Sequence, residues 1–232
     1  TQTACLAGTY NPNTGSTSSS ACGNADAGYY VPVTGQSGQT ACAVGTYQPI
    51  SGQTDCSDAN AGYYVPYLAQ WIQTACSSGT YQPSLGQASC DIAGVGHYVD
   101  STLGSGQSTQ TACLAGTYNP NTGSTSSSAC GNADAGYYVP TAGQSTQTAC
   151  LAGTYNPNTG STSPSACGDA DAGYYVPTTG QSTQLAADAG YYVDSTLGAG
   201  QTSQTACLAG TYNPNTGSTS SSACGNADAG YY

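Results

Sequence analysis

Residues 113–138 read CLAGTYNPNTGSTSSSACGNADAGYY, and this stretch sets the pattern for the whole chain. It opens with a cysteine, turns at a Gly-Thr-Tyr corner, passes through Asn-Pro-Asn-Thr-Gly and closes with a second cysteine. A new unit then starts with Gly-Tyr-Tyr. Residues 1–32 recur identically at 109–140, and residues 2–30 recur at 204–232. Repetition on this scale predicts an architecture in which each unit packs on its neighbours in the chain.

Two classes of unit mostly alternate. The GTY unit begins and ends with a cysteine. The GYY unit, seen at 27–40 and 135–148, has no opening cysteine, and Ala25 and Ala133 occupy the matching positions. The pair forms a tandem repeat of roughly 34–37 residues across 1–232, with one irregular double-GYY region at 172–206.

The 12 cysteines are even in number and contain no C-x-x-C, which favours disulfides over zinc or redox sites. One position tests the pairing: Ala187 stands where an opening cysteine is expected, and a GYY unit follows it. Pairing each closing cysteine with the next opener would join Cys167 to Cys207 and leave Cys5 and Cys224 over. We therefore predict one local bridge per GTY unit: Cys5–Cys22, Cys42–Cys56, Cys76–Cys90, Cys113–Cys130, Cys150–Cys167 and Cys207–Cys224.

The composition does not support a thick core. The chain has no Phe, no Met, one Trp and 32 Gly, so cross-links must supply much of the stability. Closing a loop of about 15 residues removes about 3 kcal/mol of unfolded-state entropy in the chain-entropy model. Disulfides persist in oxidising compartments, which predicts a secreted or cell-surface protein.

The charge is entirely acidic. There is no Lys, Arg or Glu, and the formal net charge is −11. Such a chain cannot neutralise phosphates, which argues against nucleic acid and anionic membranes as partners. The acidic surface either keeps the protein in solution or meets a cationic partner. No apolar run is long enough to span a membrane, and a start in mid-repeat without Met is expected of a mature fragment or a window on a longer chain.

Short β-strands are expected, because Tyr, Val and Thr alternate with Asn-Pro, Thr-Gly and Gly-Gln punctuation. We predict an all-β fold of small disulfide-stapled hairpin repeats in an elongated rod, with stacked tyrosine rings in place of a core. The alternative is a β-solenoid with one coil per half-repeat. Unit lengths of about 14 to 23 residues suit a regular coil less well.

The pattern from Cys113 through Gly-Thr-Tyr118 to Gly123 and Cys130, followed by Gly-Tyr-Tyr138, resembles the ephrin-receptor-like cysteine-rich repeats. It is also similar to repeats of ciliate surface antigens and large microbial surface proteins. The resemblance covers essentially the whole chain. It implies extracellular, elongated, disulfide-stapled β-modules, and such repeats serve very different roles.

One unit departs from the others. At 61–75 the sequence AGYYVPYLAQWIQTA carries Tyr67, Leu68, Trp71 and Ile72 where a sister copy has Thr, Ala, Ser and Thr. These four residues, here called the aromatic patch, are either a small local core closing over a neighbouring unit or a contact patch for another protomer or partner.

Other candidate sites have simple structural explanations. His97, the single histidine, replaces the first Tyr of a GYY corner, and no nucleophile or orienting carboxylate recurs beside it. The Asp residues before the corners suit turns; weak calcium binding, best placed at Asp169 and Asp171, is the alternative. The Ser/Thr tracts, such as 122–128, are candidate O-glycan sites.

We therefore predict a structural extracellular repeat, a segment of a surface fibre, stalk or filament whose partners are copies of itself or neighbouring repeats. The alternative is an adhesin or receptor-type binding module that uses the aromatic patch. No catalytic residue, metal or cofactor is predicted, and the chain is not expected to be an enzyme.

Overall fold

The computed structural model describes residues 2–231. These residues form two-stranded antiparallel hairpins and short 3₁₀ turns, with no α-helix among them. The all-β prediction is confirmed. The hairpins are β1 (Thr9–Tyr10) with β2 (Gly23–Asn24), β3 (Tyr29–Tyr30) with β4 (Thr40–Ala41), β5 (Thr46–Tyr47) with β6 (Ser57–Asp58), β7 (Tyr63–Tyr64) with β8 (Thr74–Ala75), β9 (Thr80–Tyr81) with β10 (Asp91–Ile92), β11 (His97–Tyr98) with β12 (Thr111–Ala112), β13 (Thr117–Tyr118) with β14 (Gly131–Asn132), β15 (Tyr137–Tyr138) with β16 (Thr148–Ala149), β17 (Thr154–Tyr155) with β18 (Gly168–Asp169), β19 (Tyr174–Tyr175) with β20 (Leu185–Ala186), β21 (Tyr191–Tyr192) with β22 (Thr205–Ala206), and β23 (Thr211–Tyr212) with β24 (Gly225–Asn226).

Single 3₁₀ turns lie in the loops of the longer units. They are Ser19–Ala21, Ser101–Leu103, Ser127–Ala129, Pro164–Ala166, Ser195–Leu197 and Ser221–Ala223. Every described sheet joins two strands of the same unit. A β-solenoid would instead pair strands of successive coils, so the observed sheets are those of the hairpin prediction.

Each hairpin begins at a glycine corner. In one GYY unit the N–H of Tyr137 donates to the Asp134 carbonyl at 3.0 Å, and Gly136 between them has φ +89°. A turn with positive φ at its third residue requires glycine there, because a side chain is strained in that conformation. The strand then starts at Tyr137, directly after the corner. The Ala-Gly-Tyr signal in the sequence is therefore the local cause of the hairpin.

The described residues form two compact bodies, 2–111 with Asn121–Ala129 and Ala112–Pro120 with 130–231. Within the first body the corner N–H of Gly28 donates to the Gln48 carbonyl of the next unit at 2.7 Å, and the Gly52 N–H of that unit donates back to the Ala25 carbonyl at 2.8 Å.

The second body repeats these bonds. The Gly136 N–H donates to the Asn156 carbonyl at 2.7 Å, and the Gly160 N–H donates to the Ala133 carbonyl at 2.7 Å. Both bonds join backbone groups of successive units. The connection between neighbours is therefore the same in both bodies, whatever the side chains.

Many corner glycines also lie against the next unit but one, whereas a Cβ on Gly190 or Gly210 would meet nothing within 4 Å. A Cβ built on Gly28 would lie 2.3 Å from the Ala69 carbonyl oxygen, and one built on Gly136 would lie 2.2 Å from that of Gly180. Real Cβ atoms do not approach a backbone oxygen so closely, so these corners admit only glycine. Hairpins two units apart are thus packed backbone against backbone.

In each of the two bodies the buried interior is a narrow column of small side chains. Two positions of the repeat supply it: the residue that opens a unit and the valine that follows a GYY or GHY corner. Tyrosine rings, which we expected to supply the interior, lie mostly half-buried at its edge. In the first body these residues are Ala25, Cys42, Ala59, Cys76 and Ala93, with Val31, Val65 and Val99. In the second body they are Cys113, Ala133, Cys150, Ala170 and Ala187, with Val139, Val176 and Val193.

Candidate functional site

The six disulfides each close one GTY unit, and the pairs match those that the repeats predict. They are Cys5–Cys22, Cys42–Cys56, Cys76–Cys90, Cys113–Cys130, Cys150–Cys167 and Cys207–Cys224, and no cysteine is free among the described residues. The Cα–Cα distances of 5.6–5.8 Å lie within the ordinary range for disulfides. Opening cysteines are mostly buried, whereas closing cysteines are partly exposed. Most bridges therefore link a buried opening position to a partly exposed position at the end of the loop.

A buried amide side chain adapts most GTY units to their loop length. Gln48 lies in a unit whose cysteines are 14 residues apart, and its Nε2 donates to the Asp55 carbonyl of the same unit at 2.9 Å. Asn156 lies in a unit with a separation of 17. Its Nδ2 donates to the Tyr137 carbonyl of the preceding unit at 3.1 Å and to Ser161 Oγ at 2.9 Å. The longer amide reaches across the short loop, and the shorter amide bridges two units.

Four of the GYY units are each closed by a pair of hydrogen bonds that the sequence analysis missed. In the unit 170–186, Gln184 Nε2 donates to Asp171 Oδ2 at 2.6 Å and the Asp171 N–H donates to Gln184 Oε1 at 2.7 Å. We call this arrangement the Asp–Gln clamp. Its signal is an Asp followed by a Gln 13 or 16 positions later. The other full clamps are Asp26–Gln39, Asp134–Gln147 and Asp188–Gln204.

Two longer GYY-type units contain the motif Asp-Ser-Thr-Leu-Gly, which the sequence analysis also did not single out. Asp100 and Asp194 begin 3₁₀ turns, and each Oδ1 accepts from the hydroxyl of the Thr two residues on at 2.7 Å and from its N–H at 2.9 Å. Both bonds favour the ionised carboxylate. The hydroxyl of Thr102 and then its N–H lower the pKa of Asp100, and Thr196 does the same to the pKa of Asp194.

The aromatic patch is exposed at a hairpin tip. The exposed fractions are 70% for Tyr67, 61% for Leu68, 58% for Trp71 and 53% for Ile72. A small local core would bury these side chains, so that interpretation is wrong.

The turn of this hairpin is also unusual. Ala69, with φ 58°, is the one non-glycine residue with positive φ in the described chain. Its sister units have glycine at this place, such as Gly35 and Gly143.

A cavity of about 260 Å³ lies at the base of the same hairpin, between it and the next unit. It is lined by Tyr64, Ala75, Ser77, Thr80, Ser89 and Cys90. The lining offers an aromatic ring, hydroxyls and one disulfide sulfur. Such a surface can bind a small neutral group by ring contact and hydrogen bonding.

The remaining predicted candidates have structural roles where the structure describes them. His97 begins a short strand, and its Nδ1 lies 2.9 Å from the Val95 carbonyl oxygen. Asp171 belongs to a clamp, and Asp169 pairs across the hairpin with Thr154. Over residues 2–231, no three His, Cys, Asp or Glu side chains come close enough to hold a metal ion.

No family model and no curated protein matches the chain. In the part of the chain that the structure describes, no helix has the length and apolar character needed to cross a bilayer. The protein is thus defined by its construction as a disulfide-rich tandem repeat of β-hairpins.

Proposed function

We propose that this protein is a structural extracellular repeat, a segment of a surface fibre, stalk or filament. The observation that carries the proposal is the backbone connection between units. The Gly28–Gln48 bond of one body and the Gly136–Asn156 bond of the other have the same length and the same place in the repeat. A connection that recurs without change builds length rather than a single site.

The chemistry of the chain supports an oxidising location and an inert role. All six bridges are local to their units, which suits a chain assembled unit by unit outside the reducing cytosol. The Asp carboxylates described in clamps and 3₁₀ turns are engaged in structure. We further propose that the Ser/Thr tracts of the longer GTY units carry O-linked sugars, because Thr17 to Ser20 are all exposed. An intact mass of the native protein equal to that of the polypeptide would exclude the sugars.

The structural role is tested by adding units. One and then two extra copies of residues 113–149 are inserted after residue 149, and the maximum dimension is measured by small-angle X-ray scattering. We expect equal increments for the first and second copy, because each added pair repeats the same backbone connection. The matched control inserts Gly/Ser sequences of equal length, which should add a flexible loop instead. Unequal increments, or a growth no different from that of the control, would contradict the proposal.

A second candidate function rests on the exposed aromatic patch. Trp and Tyr offer large apolar faces with polar edges, and the patch lies near the hydroxyl-lined cavity at Tyr64 in the chain. We propose a neutral saccharide as the class of ligand for an adhesin role, because the patch contains no charge and the chain has no cation to meet an anionic one.

The binding role is tested by titrating the protein with neutral oligosaccharides and following Trp71 fluorescence. Tyr67→Ser should abolish the fluorescence change while leaving the fold intact. The control Ile50→Ser removes an exposed apolar residue from the tip of another unit (61% exposed) and should leave binding unchanged. Equal effects of the two substitutions, or no response to any neutral sugar, would remove this candidate.

A further inference from the structure

We propose that two copies of this chain pair through the aromatic patch, with Tyr67, Leu68, Trp71 and Ile72 of one copy packed against the same four residues of the other. The inference rests on the structural role proposed above and deepens it by naming the partner, a second copy of the chain. It gives the patch a different occupant from the sugar of the second candidate function, and experiment separates the two.

The hairpin tip that carries the patch is held by the preceding unit. The Ala69 N–H donates to the Cys42 carbonyl at 2.9 Å. On the other side of the turn, the Gln48 N–H donates to the Gln70 carbonyl at 3.1 Å. The backbone at the centre of the patch is thus fixed before any partner arrives. A preorganised surface of this kind loses little conformational entropy on association.

The unit that carries the patch lacks charge. Asn60 occupies the position that an aspartate takes in the full Asp–Gln clamps, and 59–75 is the one GYY-type unit without a charged residue. Asn60 keeps the backbone bond of the clamp, since its N–H donates to Gln73 Oε1 at 2.7 Å. Gln73 directly follows Ile72 of the patch.

This loss of charge indicates the kind of partner. An aspartate at position 60 would attract a cationic partner and repel a second chain with a net charge of −11. A neutral side chain beside the patch therefore suits a copy of the chain. The patch itself has the composition of the core of a protein–protein interface, in which apolar and aromatic side chains predominate. Leu68 and Ile72 offer a sugar neither a ring nor a polar group.

Two patches placed face to face bury about the area that a weak dimer needs. An aromatic side chain buries about 150–250 Å², so four large side chains that are 53–70% exposed present on the order of 500 Å². The pair then buries on the order of 1,000 Å², the lower end for specific interfaces. We expect a Kd between about 10 μM and 1 mM. Because both copies use the same surface, the contact is two-fold symmetric and closes at the dimer.

The test is sedimentation velocity of the 232-residue chain from about 1 μM to 1 mM, in low salt and in high salt. Trp71 is the only tryptophan, so its emission in the same samples reports on the contact. We expect a monomer that becomes a dimer, with a blue shift as the ring leaves water. Dimerisation should be stronger in high salt, because salt screens the repulsion between the two acidic chains.

Leu68→Ser tests the residues of the contact. It should weaken dimerisation by about tenfold, because it removes apolar area from both sides of the interface. The matched control is Leu197→Ser, which changes a leucine that is 70% exposed in the turn of another GYY-type unit. The control should dimerise as the unchanged chain does. Equal weakening by the two substitutions would contradict the proposal.

Asn60→Asp separates association from folding. It restores the aspartate of the full clamps, so the unit should be at least as stable as before. The same substitution should weaken the dimer by about threefold or more in low salt and by less in high salt, because it brings a negative charge from each copy to the contact. The control Asp134→Asn changes the clamp of another unit and should not weaken the dimer. A dimer that tolerates Asn60→Asp in low salt would count against the proposal.

Three further outcomes are decisive. A monomer at every concentration up to about 1 mM in both salts, or assembly that continues past the dimer, would overturn the proposal. A neutral oligosaccharide that shifts the Trp71 emission of a chain that never dimerises would also overturn it and would support the second candidate function. A chain that stays monomeric but lengthens evenly with inserted units would overturn the pairing and still support the structural role.

Discussion

The unit at 150–169 and the unit at 170–186 are neighbours that close the same hairpin by different chemistry. In the first, a disulfide joins the opening Cys150 to Cys167, the residue just before β18. In the second, Ala170 opens the unit, and Gln184, just before β20, reaches Asp171 through two hydrogen bonds. The loop therefore needs closing at one fixed place, and a covalent bond or an amide–carboxylate pair can do it.

The comparison also explains the alternation of the two classes. The opening position is buried in both, as Cys150 and Ala170 are each 1% exposed, so the column accepts either residue. Ala187 shows that the second of two successive units can open without a cysteine and remain fully buried. The corner and turn glycines are common to both classes. Closure is thus independent of the backbone connection between units.

Removing the disulfide should give the largest effect. The double variant Cys150→Ala with Cys167→Ala is expected to lower the free energy of local opening by about 3 kcal/mol, the loop-entropy contribution of a closure of this length. Hydrogen exchange at the Gly153 and Ala170 amides, which bond to neighbouring backbone carbonyls, measures it. If the free energy of local opening falls no more than it does when the Asp–Gln clamp is broken, the two closures stabilise their units equally.

Breaking the clamp should have a smaller effect. Gln184→Ala removes both bonds to Asp171 and is expected to cost about 1 kcal/mol, because the pair is exposed to solvent. The control Gln181→Ala removes a side chain that bonds only to Thr178 Oγ1. Exchange at the Ala187 amide, bonded to the Gly173 carbonyl at 2.9 Å, reports on this unit. If the control costs as much as Gln184→Ala, the clamp has no special role.

The GYY unit with the aromatic patch should gain stability from one substitution. Ala69→Gly relieves the positive φ of 58° at the turn and is expected to stabilise the unit by about 0.5 kcal/mol, after allowing for the greater freedom of glycine in the unfolded chain. Ala75→Gly in β8 is the control and should destabilise. Thermal melting of both variants checks the sign.

The smallest effect concerns the longer GYY-type units, where Thr196 lowers the pKa of Asp194. A carboxylate with a lowered folded-state pKa stabilises the folded state above its usual pKa, and this contribution is lost as pH falls through the lowered value. Thr196→Val should raise the pKa of Asp194 toward the ordinary range. Titration of the Asp194 carboxyl by NMR measures it, with Thr102→Val, which should leave Asp194 unchanged, as the control.

The glycine corners and the disulfide pairing of this fold could be predicted from the sequence. The side-chain hydrogen bonds that close the other hairpins could not. The pairing of Cys150 with Cys167 follows from the repeat alone, because the missing cysteine at Ala187 fixes the register. The hairpins follow from the glycine corners. The link between Asp171 and Gln184 spans 13 residues and depends on strand register, which neither residue type indicates.

The close approach between units two apart was equally invisible. Gly136 looks like any turn glycine in sequence, and the need for it comes from the Gly180 carbonyl, 2.2 Å from where its Cβ would be. The exposure of Trp71 does not follow from the sequence for a related reason. An apolar cluster has the same sequence whether its side chains are buried or exposed. Only the packing of the hairpin tip determines which of the two occurs.

The opening position, which takes alanine or cysteine without disturbing its surroundings, gives the chain an unusual freedom to change over generations. A bridge can be lost or acquired in any single segment. Whole segments can be duplicated, deleted or reordered, since the recurring corner hydrogen bonds between neighbours join main-chain atoms that every segment has. We therefore expect related chains to differ in the number of segments before they differ in the sequence of each segment.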